Sequence, residues 1–199
     1  MPLTVAGAGP GNIELLTQEA ICAIKDADMV AGFERIASDV KPIRNDVKTL
    51  KGISEILDLP IETKKVLVLA SGDPCFFGIT EFIKNKNIKI EKVITGISSM
   101  QYFMGKLQKQ WQTLPFFSFH GRETDFTEMH SKESFFILTD KTNNPDIISA
   151  RLKEEGFKGR LFVGYNLSYP DESIEEYNIG DKIIVKSFLN TVLVQNEKY

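Results

Sequence analysis

Short apolar runs that end in glycine-rich turns, with amphipathic stretches between them, dominate the pattern of this chain. Residues 3–7, 29–33 and 66–70 read as strands. The last of these, Val66-Leu67-Val68-Leu69-Ala70, is uniformly apolar, as a strand covered on both faces must be. Residues 17–26 predict a helix, because Leu16, Ala20, Ala23, Ile24 and Ala27 recur three and four positions apart on one face. Over residues 41–64 the pattern weakens, with Pro42, Gly52 and Pro60 around a short helix at 53–57. A helix at 76–86, a strand at 92–95, a helix at 98–107 with Ser98 or Ser99 as its cap, and a strand at 116–120 follow. This alternation predicts an α/β domain built on a mainly parallel sheet with right-handed crossovers.

Residues 121–132 are polar, carry both signs of charge and read as a connection between domains. Beyond them lie strands at 135–138, 161–165, 173–177 and 191–195 and one helix at 145–155, which describe a smaller mixed sheet. The expected division is an amino-terminal α/β domain over residues 1–120 and a carboxyl-terminal α/β domain over 121–199.

Composition narrows the function classes. With 42% hydrophobic and 26% charged residues over 199 positions, the chain is an ordinary globular protein. Its 24 basic against 27 acidic residues leave a charge of −3 with no long block of one sign, which argues against a nucleic-acid partner but allows a local basic pocket. No apolar run approaches the roughly 20 residues of a membrane span, and residues 1–7 lack the charged start and apolar core of a signal peptide. Cys22 and Cys75 are too few for a disulfide framework, so the expected location is the reducing cytoplasm, away from membranes. His120 and His130 are the only histidines, which argues against a His-rich metal site.

The candidate chemistry lies in three turns: Gly7-Ala8-Gly9-Pro10-Gly11-Asn12, Ala70-Ser71-Gly72-Asp73-Pro74 and Thr95-Gly96-Ile97-Ser98-Ser99. Each follows a predicted strand, and the carboxyl ends of parallel strands are where an open α/β sheet binds ligands. The first turn is not GxGxxG, Pro10 withholds an N–H from any phosphate cradle, and Glu34 comes late for a ribose contact. A pyrophosphate site is therefore disfavoured. Asp73 either shapes its turn or presents a carboxylate to hydroxyls or an ammonium group, and the residues leave both open. Cys75, followed by Phe76 and Phe77, reads as a packing group. At the junction, His120 serves either as a hinge group or in hydrogen bonding and proton transfer, with Arg122 as a fork for carboxylates.

Taken together, GAGPGN, ASGDPCFFG, TGISS, HGR and GYNLSYPDE resemble the motifs of the tetrapyrrole methylase family over essentially the whole chain. HGR and NLxxPDE resemble the branch that methylates C5 of cobalt-precorrin-7 in anaerobic corrin ring synthesis. The resemblance implies the two-domain tetrapyrrole methylase fold of class III S-adenosylmethionine methyltransferases, with S-adenosylmethionine as methyl donor in the cleft between domains and commonly a homodimer. Carried over by position, the implied cofactor contacts are Pro10, Ser71, Gly72, Asp73, Phe76, Ser98, Ser99, Leu138 and Leu167, with no metal. The implied substrate is an anionic tetrapyrrole, for which Arg35, Arg122 and Lys141 are candidate basic contacts and His120 the candidate proton-handling group. Relatives that also methylate C15 and decarboxylate carry a second module, for which 199 residues leave no room. The expectation is C5 methylation alone, with transient contact to a separate C15-methylating and decarboxylating protein. Methylation at another corrinoid position or of a cobalt-free precorrin, a diphthine synthase, a ribosomal-RNA ribose methyltransferase and a non-catalytic corrinoid-binding module are the alternatives.

Overall fold

The computed structural model describes residues 3–119 and 125–197 and separates into two compact units, Met1–Ser99 and Met100–Tyr199. In the first unit, β1 (Leu3–Gly7), β2 (Met29–Phe33), β3 (Lys48–Leu50), β4 (Val66–Ala70) and β5 (Ile90–Ile94) form one sheet in the order β3-β2-β4-β1-β5. Every pairing in it is parallel. β4 is buried on both faces, and its alternation sorts its side chains between two cores. Leu67 and Leu69 pack with Ala20 and Ile24 of α1 (Gln18–Asp26), whereas Val66, Val68 and Ala70 share a core with Leu50, Ile56 and Ile83. The Thr17 hydroxyl accepts the Ala20 N–H at 3.1 Å and so starts α1. α2 (Glu34–Asp39) follows β2, and α3 (Thr80–Asn85) follows β4. Because the strands are parallel, all their carboxyl ends lie on one edge, and β1 between β4 and β5 makes their three turns neighbours.

In the second unit, α4 (Ser99–Leu107) leads to a mixed sheet of β6 (Phe116–Ser118), β7 (Ser134–Leu138), β8 (Gly159–Tyr165), β9 (Ser173–Asn178) and β10 (Asn190–Asn196). Its order is β6-β7-β10-β8-β9, parallel between β6 and β7 and antiparallel elsewhere. Ile148 and Leu152 of α5 (Pro145–Glu154) share a core with Phe135, Ile137, Leu161, Val163 and Val192. Among the described residues no helix is long and apolar enough to cross a membrane.

Three features depart from the pattern reading. The helix expected from residue 76 starts only at Thr80, because a β-carbon on Gly78 would lie 2.2 Å from the Pro74 carbonyl oxygen and Phe77 takes a φ of 52°. That tight turn interrupts helical geometry. The strand expected to complete the first half, β6, instead pairs with β7, where the Phe117 and Phe135 rings meet edge to face at 5.7 Å. The compact units accordingly divide at Ser99 and not near residue 120. The stretch read as a connection also contributes to the second core, since Phe126 and Met129 are 4% and 0% exposed. His120 and Arg122 lie outside the described residues.

Candidate functional site

The turns after β1, β4 and β5 meet backbone to backbone. The Ala8 N–H extends the ladder to the Ala70 carbonyl at 2.8 Å, and Gly9 and Gly72 then exchange two hydrogen bonds at 3.3 and 2.9 Å. Both glycines hold left-handed φ values, +68° and +64°, which turn the two segments out of the parallel ladder. Beneath this pair, a β-carbon on Gly7 would lie 2.5 Å from the Gly72 carbonyl oxygen and 2.7 Å from Gly96, and one on Gly96 would lie 2.3 Å from the same oxygen. Only residues without side chains allow this approach.

Asp73 fastens the joint. Its Oδ1 accepts the Cys75 N–H at 2.8 Å and its Oδ2 accepts the Gly96 N–H at 3.1 Å, which ties the turn after β4 to the turn after β5. Of the two roles left open by the sequence, shaping the turn is thus visible in the carboxylate's own bonds. Cys75 is exposed, not packed. The turn closes through the Thr80 hydroxyl, which donates to the Pro74 carbonyl at 2.9 Å.

Around this frame the structure gathers seven of the anticipated cofactor contacts at one end of the first sheet. Pro10 and Gly72 are buried beside the Gly9–Gly72 pair, Ser98 is 3% exposed, and Ser99 opens α4. Ser71 is exposed, and its hydroxyl accepts a hydrogen bond from the Arg35 guanidinium at 2.6 Å, while Arg35 also pairs with Asp39 at 3.5 Å. Phe76 is half-buried with its ring edge to face against Phe77 at 5.1 Å. One aromatic ring, three hydroxyls and turns bare of side chains suit a nucleoside-bearing ligand.

Within the second unit, Leu138 ends β7 and Leu167 follows β8, on the same sheet edge. Leu167 is buried over Gly164, whose β-carbon would lie 2.9 Å from its Cδ2. Lys141 is exposed with its ammonium 5.6 Å from the centre of the Phe188 ring. A polar network holds this edge; the GYNLSYPDE motif supplies Asn166, Ser168, Asp171 and Glu172, whereas Thr139, Ser187 and Asn190 lie outside every motif named above. The Asn166 amide donates to Asp171 at 2.6 Å, and its carbonyl oxygen accepts from Ser187 at 2.6 Å. Asn190 donates to the Ser187 carbonyl at 2.7 Å, and the Thr139 hydroxyl donates to Asn190. Asn166 and Ser168 take φ values of 45° and 72°, and Glu172 accepts the Ser168 N–H at 2.6 Å and pairs with Lys106 at 2.9 Å. Burial works against the Glu172 carboxylate, but the Ser168 N–H, Lys106 and Tyr102 outweigh it and hold its pKa below the ordinary value. The polar cluster within GYNLSYPDE was the available signal.

Compared with known proteins, residues 2–182 match the Tetrapyrrole (Corrin/Porphyrin) Methylases. The chain is 33% identical over 201 residues to a cobalt-precorrin-7 C(5)-methyltransferase of Salmonella typhimurium, covering 98% of this chain and 100% of the relative. Its fold resembles a precorrin-6Y methylase of Archaeoglobus fulgidus with a TM-score of 0.78 at 21% identity, covering 99% of both chains. It also resembles a uroporphyrin-III C-methyltransferase of Thermus thermophilus in complex with S-adenosyl homocysteine, with a TM-score of 0.77 at 20% identity over 97% of both chains.

Asp73→Ala leaves the Gly96 and Cys75 N–H groups without their acceptor and is expected to cost about 2 kcal/mol in urea unfolding, with Asp73→Asn recovering part of the loss. For Glu172, a lowered folded pKa means its stabilisation is full above 4.5 and is lost as pH falls through the folded value. The stability gap between wild type and Glu172→Gln, followed by denaturant titration from neutral to acid pH, should therefore close on acidification; a gap that widens would contradict the assignment.

Proposed function

The chain belongs to the tetrapyrrole (corrin/porphyrin) methylases, and on that footing we propose that it transfers a methyl group from S-adenosylmethionine to C5 of cobalt-precorrin-7 in cobalamin biosynthesis. The observation that carries this reading is the 33% identity kept over the full length of the Salmonella enzyme. The residues present fit the donor: Phe76 offers a ring to an adenine, and Ser71, Ser98 and Ser99 offer hydroxyls to a ribose and an amino-acid tail. When bound, S-adenosylmethionine supplies a methyl group already activated on a sulfonium.

What remains for the protein is position. Methyl transfer demands donor, methyl and acceptor carbon in line at roughly 3–3.5 Å with water kept away. The Gly9–Gly72 pair and the Asp73 carboxylate provide a fixed frame for that alignment, since the turns cannot shift independently. Buried Pro10 and half-buried Phe76 provide apolar surface against water. Leu138 and Leu167 are proposed cofactor contacts on the second unit's own sheet edge. Arg35 and Lys141 are proposed to meet the ring's carboxylates, with Arg122 in the same role and His120 as the proton-handling group. Assembly as a homodimer and hand-over of product to a separate C15-methylating and decarboxylating enzyme belong to the same reading.

Incubation with labelled S-adenosylmethionine and cobalt-precorrin-7 should place the label at C5 and none at C15. Label at another carbon, or no binding of S-adenosyl homocysteine by calorimetry, would sink the proposal. Replacing Arg35 and Lys141 together by Ala should raise KM for the ring and flatten its dependence on ionic strength, because both effects come from the same charges. An unchanged salt dependence would remove these two residues from the substrate site.

A further inference from the structure

The motif GYNLSYPDE ends in an acidic residue that the chemistry above does not use. Leu167, proposed to meet the cofactor, stands between two residues in left-handed backbone, Asn166 at a φ of 45° and Ser168 at 72°. Asparagine is enriched in that backbone; serine is not, and holds it under strain. Position 168 therefore keeps this conformation only while bonds around it impose it. Glu172 supplies one of them, since its Oε2 accepts the Ser168 N–H at 2.6 Å. The Tyr169 N–H bonds the Asn166 carbonyl at 2.9 Å and the Glu172 N–H bonds the Tyr169 carbonyl at 3.0 Å, so the chain from 166 to 172 folds back on itself.

The other oxygen of the same carboxylate reaches out of this loop. Glu172 Oε1 meets the Lys106 ammonium of α4 at 2.9 Å, and that ammonium lies 5.2 Å from the centre of the Tyr102 ring one turn earlier on the helix. α4 is a firm anchor, because its Met100, Phe103 and Met104 are buried. The Glu172 side chain is only 18% exposed, which spares its bonds much of the screening that weakens surface pairs. Relaxation of Ser168 out of the left-handed region would redirect the chain at Leu167, whose Cδ2 stands 2.9 Å from where a β-carbon on Gly164 would be. On this side, the place of Leu167 is thus tied through Glu172 to α4.

We propose that Glu172 is a positioning residue for the cofactor: by holding Ser168 left-handed and anchoring it to Lys106 of α4, it keeps Leu167 in place as a cofactor contact. The inference rests on the methyltransferase reading above. Glu172→Ala removes both bonds and, in folded protein well below its Tm, should weaken S-adenosyl homocysteine binding by calorimetry about tenfold. KM for S-adenosylmethionine should rise in step, while kcat at saturating donor and KM for cobalt-precorrin-7 stay near wild type. Glu172→Gln keeps an acceptor for Ser168 and should bind more tightly than Glu172→Ala. Lys106→Met keeps the stem but removes the anchor; it should also weaken binding, and it carries the test if Glu172→Ala does not fold. A lower Tm with unchanged S-adenosyl homocysteine affinity in these variants makes Glu172 a structural residue only and overturns the inference. An equal loss of affinity for cobalt-precorrin-7 also overturns it, as a mark of general loosening. Wild-type protein that binds no S-adenosyl homocysteine removes the methyltransferase reading and the inference together, whereas wild type and variants that bind it equally remove the inference alone.

Discussion

The contact among Gly7, Gly72 and Gly96 is the constraint on which the first unit's site depends. Three segments approach so closely that the Gly72 carbonyl oxygen occupies the space of a β-carbon on either of the other two. Such packing is available only where side chains are absent, and it leaves the segments no room to slide. Asp73 then adds an ionic group's hydrogen bonds to the backbone contact, one within its own turn and one across to Gly96. The positions of Ser71, Phe76 and Ser98 follow from this frame.

The second unit builds its corresponding edge differently. There, side chains carry the architecture: Asn166 is held between Asp171 and Ser187, Asn190 joins Ser187 to Thr139, and Glu172 joins Ser168 to Lys106. Asn166 and Ser168, both in left-handed backbone, sit among these bonds, which hold a backbone that would otherwise relax. A side-chain network of this kind is sensitive to charge state in a way that a glycine joint is not.

Much of the fold was legible in the chain because burial leaves a periodic signature. The uniform apolarity of residues 66–70 marked the central strand, and the spacing of Ala20 and Ile24 marked the face of α1. Partners are less visible than elements. Phe116 and Phe117 announce a strand, but nothing local says that its neighbour is β7; that is decided by packing against a strand later in the chain. Likewise, Phe126 and Met129 are too sparse among polar residues to advertise a core contribution. At the site, the glycine turns announced themselves by composition, whereas the division of Asp73's two oxygens between two backbone segments required coordinates. The shortened α3 was hidden because the close approach at Gly78 arises from three-dimensional crowding, not from helix propensity.

The strand order has a consequence for when the site comes into being. β1 is the first strand of the chain, yet it lies between β4 and β5, which come much later. The Gly7–Gly72–Gly96 joint therefore closes the longest loops of the first unit, and long-range closure of parallel strands is the slow part of assembling such a sheet. A fragment must span residues 7–96, nearly the whole unit, to contain the joint. The joint is thus complete only once strands from both ends of the unit have paired, and a growing or partly unfolded chain lacks this frame.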